Sequence, residues 1–438
     1  MEDLSNKFNE LSVAPKVNTN DEAIKAGNSK GKLTVSTFPK CSIPPKSLTK
    51  QKIIPLEDSG LGEDTVLLMF DGTAKPISEV KTGDQLMGPD SRSRIVLSTI
   101  KDIRMLYEII PNKGVHIFCT SNHKFIAITN VPYITRRYDR PSSYVVNYIK
   151  NNLAKQKAFL TEEDANKFIE TKSDNLLLTI NICNYLKCTD KFKHHTYMYH
   201  CGLNFIEKEI PIDPYMIGFW LGDGTSAGAE ITNVDRECLD YFRNNLGQYN
   251  LELSQRKTKD VTYGIRTIGK SSPGSNKFLT ALQDLNLLNN KHIPDIYKMN
   301  SRDIRLKVLA GLIDSDGYLG NNCIEIHQKN KKLSDDIEFL CFSLGFMITR
   351  VECEKGCMYK NEMRYGIYQR MNIFGEGMEE IPIILERKKT KERGINKRAT
   401  CHGFKISSQT TEAPCFNIQI SGDHRFLLRD FTIMHDSS

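Results

Sequence analysis

Two apolar stretches of the sequence end in an acid followed by glycine. These two acids are the strongest candidates in the sequence for catalysis or metal binding. Residues 309–317 read Leu-Ala-Gly-Leu-Ile-Asp-Ser-Asp-Gly, and residues 217–224 read Ile-Gly-Phe-Trp-Leu-Gly-Asp-Gly. Aligning the stretches sets Asp316 against Asp223. Both predict a short helix with an acid at its carboxyl end, where the helix dipole is partly negative and disfavours a carboxylate. A positive group must therefore compensate at this point.

Small residues precede each acid at a spacing of four positions. The pairs are Gly218 with Gly222, and Gly311 with Ser315. This spacing lets two helix backbones approach closely, which would bring the two acids together at one end. Neighbouring carboxylates are tolerated when divalent cations bind between them, and Mg²⁺ takes carboxylate oxygens together with substrate phosphates. The pattern therefore predicts metal-dependent hydrolysis of phosphodiester bonds.

A plainer interpretation is open for either stretch taken alone. Asp-Gly is a common turn, and an apolar helix that ends there can be a core helix with a glycine cap. The repetition favours the chemical interpretation. Within the second stretch, Asp314 corresponds to Leu221 of the first, so we expect Asp314 to play a supporting part.

The two helices belong to an internal repeat within residues 205–385. Each is followed by the predicted order strand, helix, strand, strand, and the two acids are 93 positions apart. A repeated unit of this kind predicts a pseudo-two-fold α/β domain, which suits the approximate two-fold symmetry of duplex DNA. The predicted strands centre on residues 230–232, 251–253, 263–266, 324–326, 348–351 and 365–368, and the predicted helices on residues 238–246 and 333–344.

Short β-type segments separated by turns dominate residues 60–135 and return in residues 401–438. This texture predicts an all-β domain built from both parts. The predicted strands are residues 66–70, 85–87, 94–97, 106–110, 115–118, 415–420 and 424–428. Residues 1–59 are polar and rich in Lys, Ser, Asn and Pro, so they are predicted to be a disordered tail.

Basic side chains concentrate in an insert at residues 136–204 and in a linker at residues 386–400. In the insert they alternate with tyrosines, which suits phosphate contact and base stacking, and a solvated loop remains the alternative interpretation. The linker is interpreted as a phosphate grip, a nuclear-import signal or a solvated segment. The predicted DNA-binding residues are Arg136, Arg137, Arg140, Lys388, Lys389 and Lys391.

Composition sets the class of protein. The chain has 438 residues, a formal net charge of +7 and 26% charged residues, which fits a multidomain protein that tolerates a polyanionic partner. We find neither a leader sequence nor an apolar run long enough to cross a bilayer. The twelve cysteines are scattered without paired CxxC units, so we expect reduced thiols, no zinc site and an intracellular protein.

These features together resemble the LAGLIDADG homing endonucleases of the intein-derived type. Residues 309–317 resemble the second signature, residues 217–224 the first, and residues 291–294 the short block between them. The flanking β segments are similar to the Hint domain of inteins, through residues 120–123 and 424–428. The resemblance implies an all-β Hint-like domain plus an α/β pseudo-two-fold LAGLIDADG endonuclease domain.

The resemblance also implies a site-specific endonuclease that cuts both strands of DNA. It would act as a monomer on a long target site, in the nucleus or cytoplasm. Asp223 and Asp316 would hold Mg²⁺, with Mn²⁺ able to replace it, and each acid would serve one strand. Lys270 matches the position of the first active-site lysine. The second lysine has no match, and its nearest substitutes are Lys360 and Arg364.

The Hint resemblance does not extend to the residues at which splicing chemistry begins and ends. Splicing needs a thiol or hydroxyl at the first position and Asn at the last, whereas Gly60 and Asp436 occupy these positions. Ser59 would need a one-residue insertion to act as the nucleophile. We therefore expect a free-standing, splicing-deficient protein. The vestigial splicing residues are Gly60, Thr120, His123, His424, His435, Asp436 and Ser437.

Two other functions remain open from the sequence. A DNA-binding protein that has lost cleavage would explain the missing second lysine. A residual self-processing intein would explain the retained histidines of the β domain.

Overall fold

Strands from both ends of the chain form a β-rich region. The computed structural model describes residues 59–112, 114–129, 133–136, 143–150, 153–171, 177–256, 259–359, 362–392 and 400–436. Residues 1–58 of the predicted tail therefore lie outside the described residues, as do Arg137, Arg140, Lys360 and Ser437, whereas Ser59 is described and buried. The strands of the β-rich region are β1 (Leu61–Gly62), β2 (Val66–Leu68), β3 (Ala74–Pro76), β4 (Gln85–Met87), β5 (Ser93–Pro111), β6 (Ile117–Cys119) and β7 (Lys124–Thr129).

Later parts of the chain complete this region. They are β11 (Leu177–Asn181), β12 (Thr196–Tyr199), β20 (Cys401–His402), β21 (Phe404–Ile420), β22 (Arg425–Leu427) and β23 (Ile433–His435). One sheet has the order β21-β1-β6-β5-β4, and another runs β20-β12-β7-β23-β22 with β11 paired to β7. Leu61 pairs with Phe416, so the beginning and end of the described chain share one sheet. The buried core of the region includes Leu61, Ile109, Phe125 and Phe426.

One strand is longer than the sequence pattern predicts. Residues 94–97 and 106–110 are predicted as separate strands, but they belong to the single strand β5, which pairs with β21 along most of its length. Most of the intervening residues are exposed, including the apolar Ile100, Ile103 and Met105, so they carry no burial pattern. Contacts with β21 stabilise these residues instead. For example, Lys101 pairs with Phe416, and the Lys101 ammonium lies 5.4 Å from the centroid of the Phe416 ring.

Between β7 and β11 lies a small sheet that the sequence does not predict. It has the order β10-β9-β8, from β8 (Tyr133–Arg136), β9 (Tyr144–Lys150) and β10 (Leu153–Phe159). Helix α1 (Glu162–Glu170) follows and is capped by Thr161, whose hydroxyl accepts a hydrogen bond from the Asp164 amide. The short helices α2 (Ile182–Leu186) and α3 (Asp190–His194) then lead into β12.

The predicted repeat is present in the structure. The first copy consists of α4 (Pro214–Asp223), β13 (Glu230–Thr232), α5 (Arg236–Leu246), β14 (Leu251–Arg256), β15 (Lys259–Thr267) and α6 (Lys277–Asp284). The second consists of α7 (Asp295–Lys298), α8 (Arg302–Asp316), β16 (Gly317–Gly320), β17 (Cys323–Gln328), α9 (Lys331–Ser343), β18 (Met347–Tyr359) and β19 (Glu362–Phe374). The element order is confirmed, with β16 as an addition that the sequence does not predict.

The two copies differ in the length of their last two strands. β18 and β19 have 13 residues each, whereas β14 has 6 and β15 has 9. Pairing continues from Met347 with Phe374 to Tyr359 with Glu362 without a register shift. The second copy therefore extends a longer hairpin from the same kind of sheet.

Helices α4 and α8 lie at the centre of the larger apolar core. Asp213 caps the start of α4 by accepting a hydrogen bond from the Met216 amide, and Pro214 occupies the first turn. Both helices are apolar around most of their circumference, which is typical of helices covered on all sides. The core packed around them comes from both copies and includes Phe242, Ile326 and Leu340.

Residues 57–438 form one compact unit. The domain boundaries at residues 135, 204, 385 and 400 therefore stay predictions. Within the part of the chain that the structure describes, no helix is both long and apolar enough to cross a bilayer.

Candidate functional site

Glycines bring helices α4 and α8 into backbone contact. A Cβ atom added at Gly311 would overlap the carbonyl oxygen of Tyr215 and lie 2.5 Å from the amide nitrogen of Phe219. A Cβ atom at Gly218 would overlap the carbonyl oxygen of Val308. Residues larger than glycine would push the helices apart at both points. The close contact predicted from the small-residue spacing is therefore confirmed.

The same contact places the two acids side by side at the carboxyl ends of the helices. A Cβ atom at Gly222 would overlap the Ser315 hydroxyl and lie 3.2 Å from the carboxylate carbon of Asp316. Asp223 follows Gly222 directly, and its carboxylate accepts a 2.7 Å hydrogen bond from the Asn233 side-chain amide. Asp223 is half-buried, whereas Asp316 opens to solvent at the mouth of the site.

The environment of both acids favours their neutral forms. Burial of the carboxyl group and the neighbouring charge of Asp223 raise the pKa of Asp316 to about 6. Burial also raises the pKa of Asp223, against the hydrogen bond from Asn233 and the positive charges of Lys388 and Lys291. The site therefore holds two carboxylates whose negative charge is incompletely neutralised by the protein.

Lys291 caps the carboxyl end of α4. Its ammonium donates hydrogen bonds to the carbonyl oxygens of Gly222 at 3.0 Å and Gly224 at 2.8 Å. It also lies 5.2 Å from the centroid of the Trp220 ring, a cation–π contact. Burial lowers the pKa of Lys291, and the charges of Asp316 and Asp223 oppose this shift.

Lys388 caps the carboxyl end of α8 in the same way. Its ammonium donates to the carbonyl oxygens of Ile313 at 2.9 Å and Asp314 at 2.7 Å, and the side chain is buried. Burial lowers the pKa of Lys388, opposed first by the charge of Asp314. Each acid-tipped helix thus ends on one lysine, and the two lysines supply the positive groups that the helix dipoles require.

Sequence reasoning missed Lys291 as a site residue and gave Lys388 a different role. Lys291 stands at the start of the short block at residues 291–294, so the block itself was the available signal. Lys388 was predicted to bind DNA from an exposed basic linker. It is buried beside Asp314, and DNA contact by Lys388 stays a prediction.

Lys270 lies away from the carboxylates. Asn233, which binds Asp223, directly follows β13, and β13 ends against Thr262 of β15. Lys270 lies beyond the other end of β15, in an exposed turn after Thr267. The five-residue distance from Thr262 to Thr267 is about 16 Å at roughly 3.3 Å per residue. Lys270 as the first active-site lysine therefore stays a prediction, and Lys291 is the lysine that lies beside Asp223 and Asp316.

Arg364 is also distant from the acids along its strand. The sheet beside Asp316 includes Ile326, which pairs with Met371 of β19. Arg364 precedes Met371 by seven residues, about 23 Å at roughly 3.3 Å per residue. The roles predicted for Arg364 and Lys360 stay predictions, and Lys360 lies outside the described residues.

The remaining predicted DNA-binding residues are exposed and partly paired. The Arg136 guanidinium lies 5.1 Å from the centroid of the Tyr144 ring and 3.1 Å from the Glu162 carboxylate. Lys389 forms an ion pair with Glu386 at 2.7 Å, and the backbone amide of Lys391 donates to the side-chain oxygen of Asn322. DNA contact by these residues stays a prediction.

A positively charged surface on the second copy was not predicted. His327 of β17 pairs with Arg370 of β19, so both side chains lie on the same face of the sheet. After burial, Lys355 and Arg370 lower the pKa of His327, and Glu325, which lies 3.5 Å from Nδ1 of His327, opposes them; both cations are exposed. Tyr318 pairs with Glu325 on this face and is 68% exposed. We call this surface, formed by Tyr318, His327, Lys355 and Arg370, the basic sheet face.

A second cluster joins the predicted splicing residues. The Gly60 amide donates to the Thr120 hydroxyl at 2.9 Å, and the Ser59 hydroxyl lies 3.3 Å from Nδ1 of His123. Burial and the neighbouring His435 lower the pKa of His123 to about 3. The first described residues of the chain thus contact the segment at residues 120–123.

The end of the described chain completes this cluster. Nδ1 of His424 lies 3.1 Å from the carboxylate of fully buried Asp436, which also accepts a hydrogen bond from the Ile420 amide. Nδ1 of His435 lies 2.9 Å from the backbone carbonyl oxygen of Asp436. Six of the seven predicted splicing residues therefore lie in one place, and Ser437 is outside the described residues.

The acid pair has the donor chemistry of a divalent-cation site. Among the described residues, no three His, Cys, Asp or Glu side chains are grouped to hold a metal ion. Mg²⁺ needs fewer, because it binds through one or two carboxylates and takes water and substrate phosphate as its other ligands. The rise that the charge of Asp223 causes in the pKa of Asp316 is also what a bound cation would relieve. The two carboxylates therefore fit Mg²⁺.

Comparison with known proteins gives limited likenesses. No family model matches the chain. A replicative DNA helicase DnaB of Mycobacterium intracellulare is 28% identical over 273 residues, which cover 61% of this chain. The match covers 39% of the length of that helicase, so the chain spans about two fifths of this relative.

The chain also shows similarity to two solved structures, one of a homing endonuclease and one of an intein. A structure of mesophilic variants of the homing endonuclease I-DmoI covers 37% of this chain and 83% of its own, with 16% identity and a TM-score of 0.25. The gp41-1 intein covers 28% of this chain and 81% of its own, with 16% identity and a TM-score of 0.15. At these TM-scores the likenesses carry no structural argument, and the site is interpreted from its own geometry.

Proposed function

We propose that this chain is a site-specific DNA endonuclease that hydrolyses phosphodiester bonds with a divalent metal. One observation carries the proposal. Asp223 and Asp316 meet at the carboxyl ends of two helices in backbone contact, and a lysine caps each helix beside its acid. A purely structural helix pair has no need of two repelling carboxylates at an open surface.

The side chains divide the work of hydrolysis. Asp223 and Asp316 would hold Mg²⁺ through their carboxylate oxygens, and Mn²⁺ would serve in its place. Bound Mg²⁺ would polarise the scissile phosphate and lower the pKa of a water molecule. Lys291 and Lys388 hold positive charge beside the acids, where it would stabilise the negative charge that develops on the phosphate.

The repeated arrangement supports cleavage of both strands. Each copy supplies one acid and each helix end has its own lysine, so the site has two similar halves. Duplex DNA has an approximate two-fold axis that exchanges its strands. One half of the site would therefore act on each strand of DNA bound to a single chain, in the nucleus or cytoplasm.

The basic sheet face supports DNA as the substrate. Lys355 and Arg370 are exposed on the sheet that begins directly after Asp316, and cationic side chains there would contact phosphates. Tyr318 and His327 on the same face offer stacking and hydrogen-bonding groups. A long target site remains part of the proposal.

Cleavage by an acid variant tests the proposal. Wild-type protein with MgCl₂ and a genomic DNA library should produce double-strand breaks at a few positions, read by sequencing the new ends. Asp316→Asn should abolish double-strand cleavage, because Asn lacks the charge that holds the metal, while DNA binding persists. Asp303→Asn is the matched control, since Asp303 lies in the first turn of the same helix and pairs with Lys307.

The outcomes separate the proposal from a protein that only binds DNA. Unchanged cleavage by Asp316→Asn would remove Asp316 from the site. Shifted fragments without cleavage by wild type would favour the binding protein. That alternative rested on a missing second lysine, and the position of Lys388 beside the acids supports cleavage over it.

A further inference from the structure

Two buried carboxylates outside the acid pair hold the segments that carry the two lysines. They are Asp314 and Asp336, whose side chains are 0% and 8% exposed. Neither faces the mouth of the site. Burying a carboxylate costs free energy unless its oxygens accept hydrogen bonds. The donors to each carboxylate therefore show which segment of the chain it holds in place.

Asp314 holds the segment that carries Lys388. Its carboxylate accepts hydrogen bonds from the backbone amides of Ile384 at 2.8 Å and Leu385 at 3.3 Å, and from the Tyr215 hydroxyl at 2.9 Å. Leu385 directly precedes the 3₁₀ turn Glu386–Lys388. The carboxylate thus fixes the start of the turn whose last residue caps α8.

Asp336 holds the segment that carries Lys291. It accepts a hydrogen bond from the backbone amide of Ile293 at 2.9 Å and from the Lys298 ammonium at 2.9 Å. The Asn330 side-chain amide adds a 2.8 Å hydrogen bond to the carbonyl oxygen of Lys291 itself. Asp336 and Asn330 belong to helix α9 and its cap, so the second copy positions the lysine beside the first acid.

The two lysines are therefore held in place by carboxylates from different helices. Lys388 depends on a carboxylate two residues before Asp316 in the same helix. In the first copy Leu221 occupies the corresponding position, so α4 offers no such group. The lysine beside α4 is supported from α9 instead. A substitution of Asp314 should leave the hydrogen bonds of Asp336 intact, and the reverse should also hold. The two carboxylates share no hydrogen-bond partner in the contacts described above.

We propose that Asp314 and Asp336 are positioning residues, each for one lysine and each for cleavage of one DNA strand. Asp314 would set Lys388 and Asp336 would set Lys291, without contact between either carboxylate and DNA or metal. The inference rests on the proposed endonuclease function and goes further by assigning a separate residue to each strand.

Strand-resolved cleavage of the full chain tests the inference. The substrate is the duplex that wild type cuts, with a different fluorescent label on each strand. Asp314→Asn and Asp336→Asn should each slow cleavage of one strand by roughly 10- to 100-fold, because misplacement of a catalytic group by about 1 Å costs about that much. Nicked duplex should accumulate, with the nick in opposite strands for the two variants.

Lysine variants give the reference pattern. Lys388→Met should show the strand preference of Asp314→Asn, and Lys291→Met that of Asp336→Asn. Equal slowing of both strands by either aspartate variant, with its melting temperature unchanged, would overturn the inference. If Asp314→Asn does not fold, Tyr215→Phe decides, because it removes one donor to Asp314 and should weaken the same strand more mildly.

The proposed function fails in a different way. Wild type that cuts neither strand contradicts the endonuclease itself. Wild type that cuts both strands while each variant slows both equally contradicts only the assignment of one support to each strand.

Discussion

At the scale of single residues, Asp316 is kept in a setting that opposes its ionisation. Its pKa of about 6 in the folded protein lies above the unfolded value of about 4, through burial and the charge of Asp223. Between these two pH values the folded chain binds more protons than the unfolded chain. Ionised Asp316 therefore destabilises the metal-free fold, and this effect grows as pH rises from 4 through 6.

Asp316→Asn should consequently stabilise the metal-free protein. At pH 8 we expect its melting temperature to exceed that of wild type by a few degrees, and at pH 4 the difference should vanish. Calorimetry at both pH values in the presence of a chelator measures this. MgCl₂ should narrow the difference at pH 8, because it stabilises only the protein that binds it. Equal melting temperatures at pH 8 would show that ionised Asp316 is not destabilising.

The sequence predicts the two acids of the site but not the two lysines beside them. The acids stand in a repeated local pattern, so spacing alone brings Asp223 and Asp316 to the same end of two helices. Lys291 and Lys388 reach their helices across 69 and 74 residues of sequence. The spacing of residues along the sequence does not indicate a contact over such a distance. Helix dipoles indicated that a positive group was needed there, yet not which residue would supply it.

At the scale of elements, the contact between α4 and α8 depends on the absence of a side chain at Gly311. A methyl group there would meet the backbone of Tyr215 and Phe219, which cannot rotate away. Separation of the helices would lose packing in the core and move the acids apart.

Gly311→Ala should therefore lower the free energy of unfolding by about 1–3 kcal/mol, the range for overpacked cores. Urea unfolding measures this loss, and the same variant should lose double-strand cleavage. Gly247→Ala is the matched control, because its Cβ would meet no atom within 4 Å and its backbone is helical. Equal stability of the two variants would contradict a backbone contact at Gly311.

Element order was predictable where apolar periodicity was strong. The repeat of helix, strand, helix, strand, strand follows from residues that face the core, such as Ile231, Phe242 and Ile326. The length of β5 was not predictable, because its middle is exposed and depends on β21, a distant part of the chain. The sheet of β8, β9 and β10 was not predicted either, although Val145 and Val146 of β9 are apolar and buried.

At the scale of the whole molecule, the β-rich region gathers nearly all the groups of a splicing centre without its nucleophile. The amide of Gly60 is held by Thr120, but Gly60 has no side chain that could attack a carbonyl group. The fold of this region is therefore compatible with loss of splicing, and the histidines around Asp436 contribute hydrogen bonds to the fold.

The purified chain should remain intact. Mass spectrometry should give a single species of 49.9 kDa after prolonged incubation with a thiol. Gly60→Cys restores a nucleophile beside Thr120 and should release residues 1–59 under the same conditions, whereas Gly60→Ala should not. A wild-type fragment that begins at Gly60 would contradict the prediction and favour the self-processing alternative.

The pairing of Leu61 with Phe416 has a consequence for biosynthesis. A ribosome must pass residue 416 before this pairing can form, since the two partners are separated by most of the polypeptide. Every side chain of the acid and lysine site, up to Lys388, has been synthesised by then. The nascent chain therefore contains both acids and both lysines of the candidate site before β1 can pair with β21.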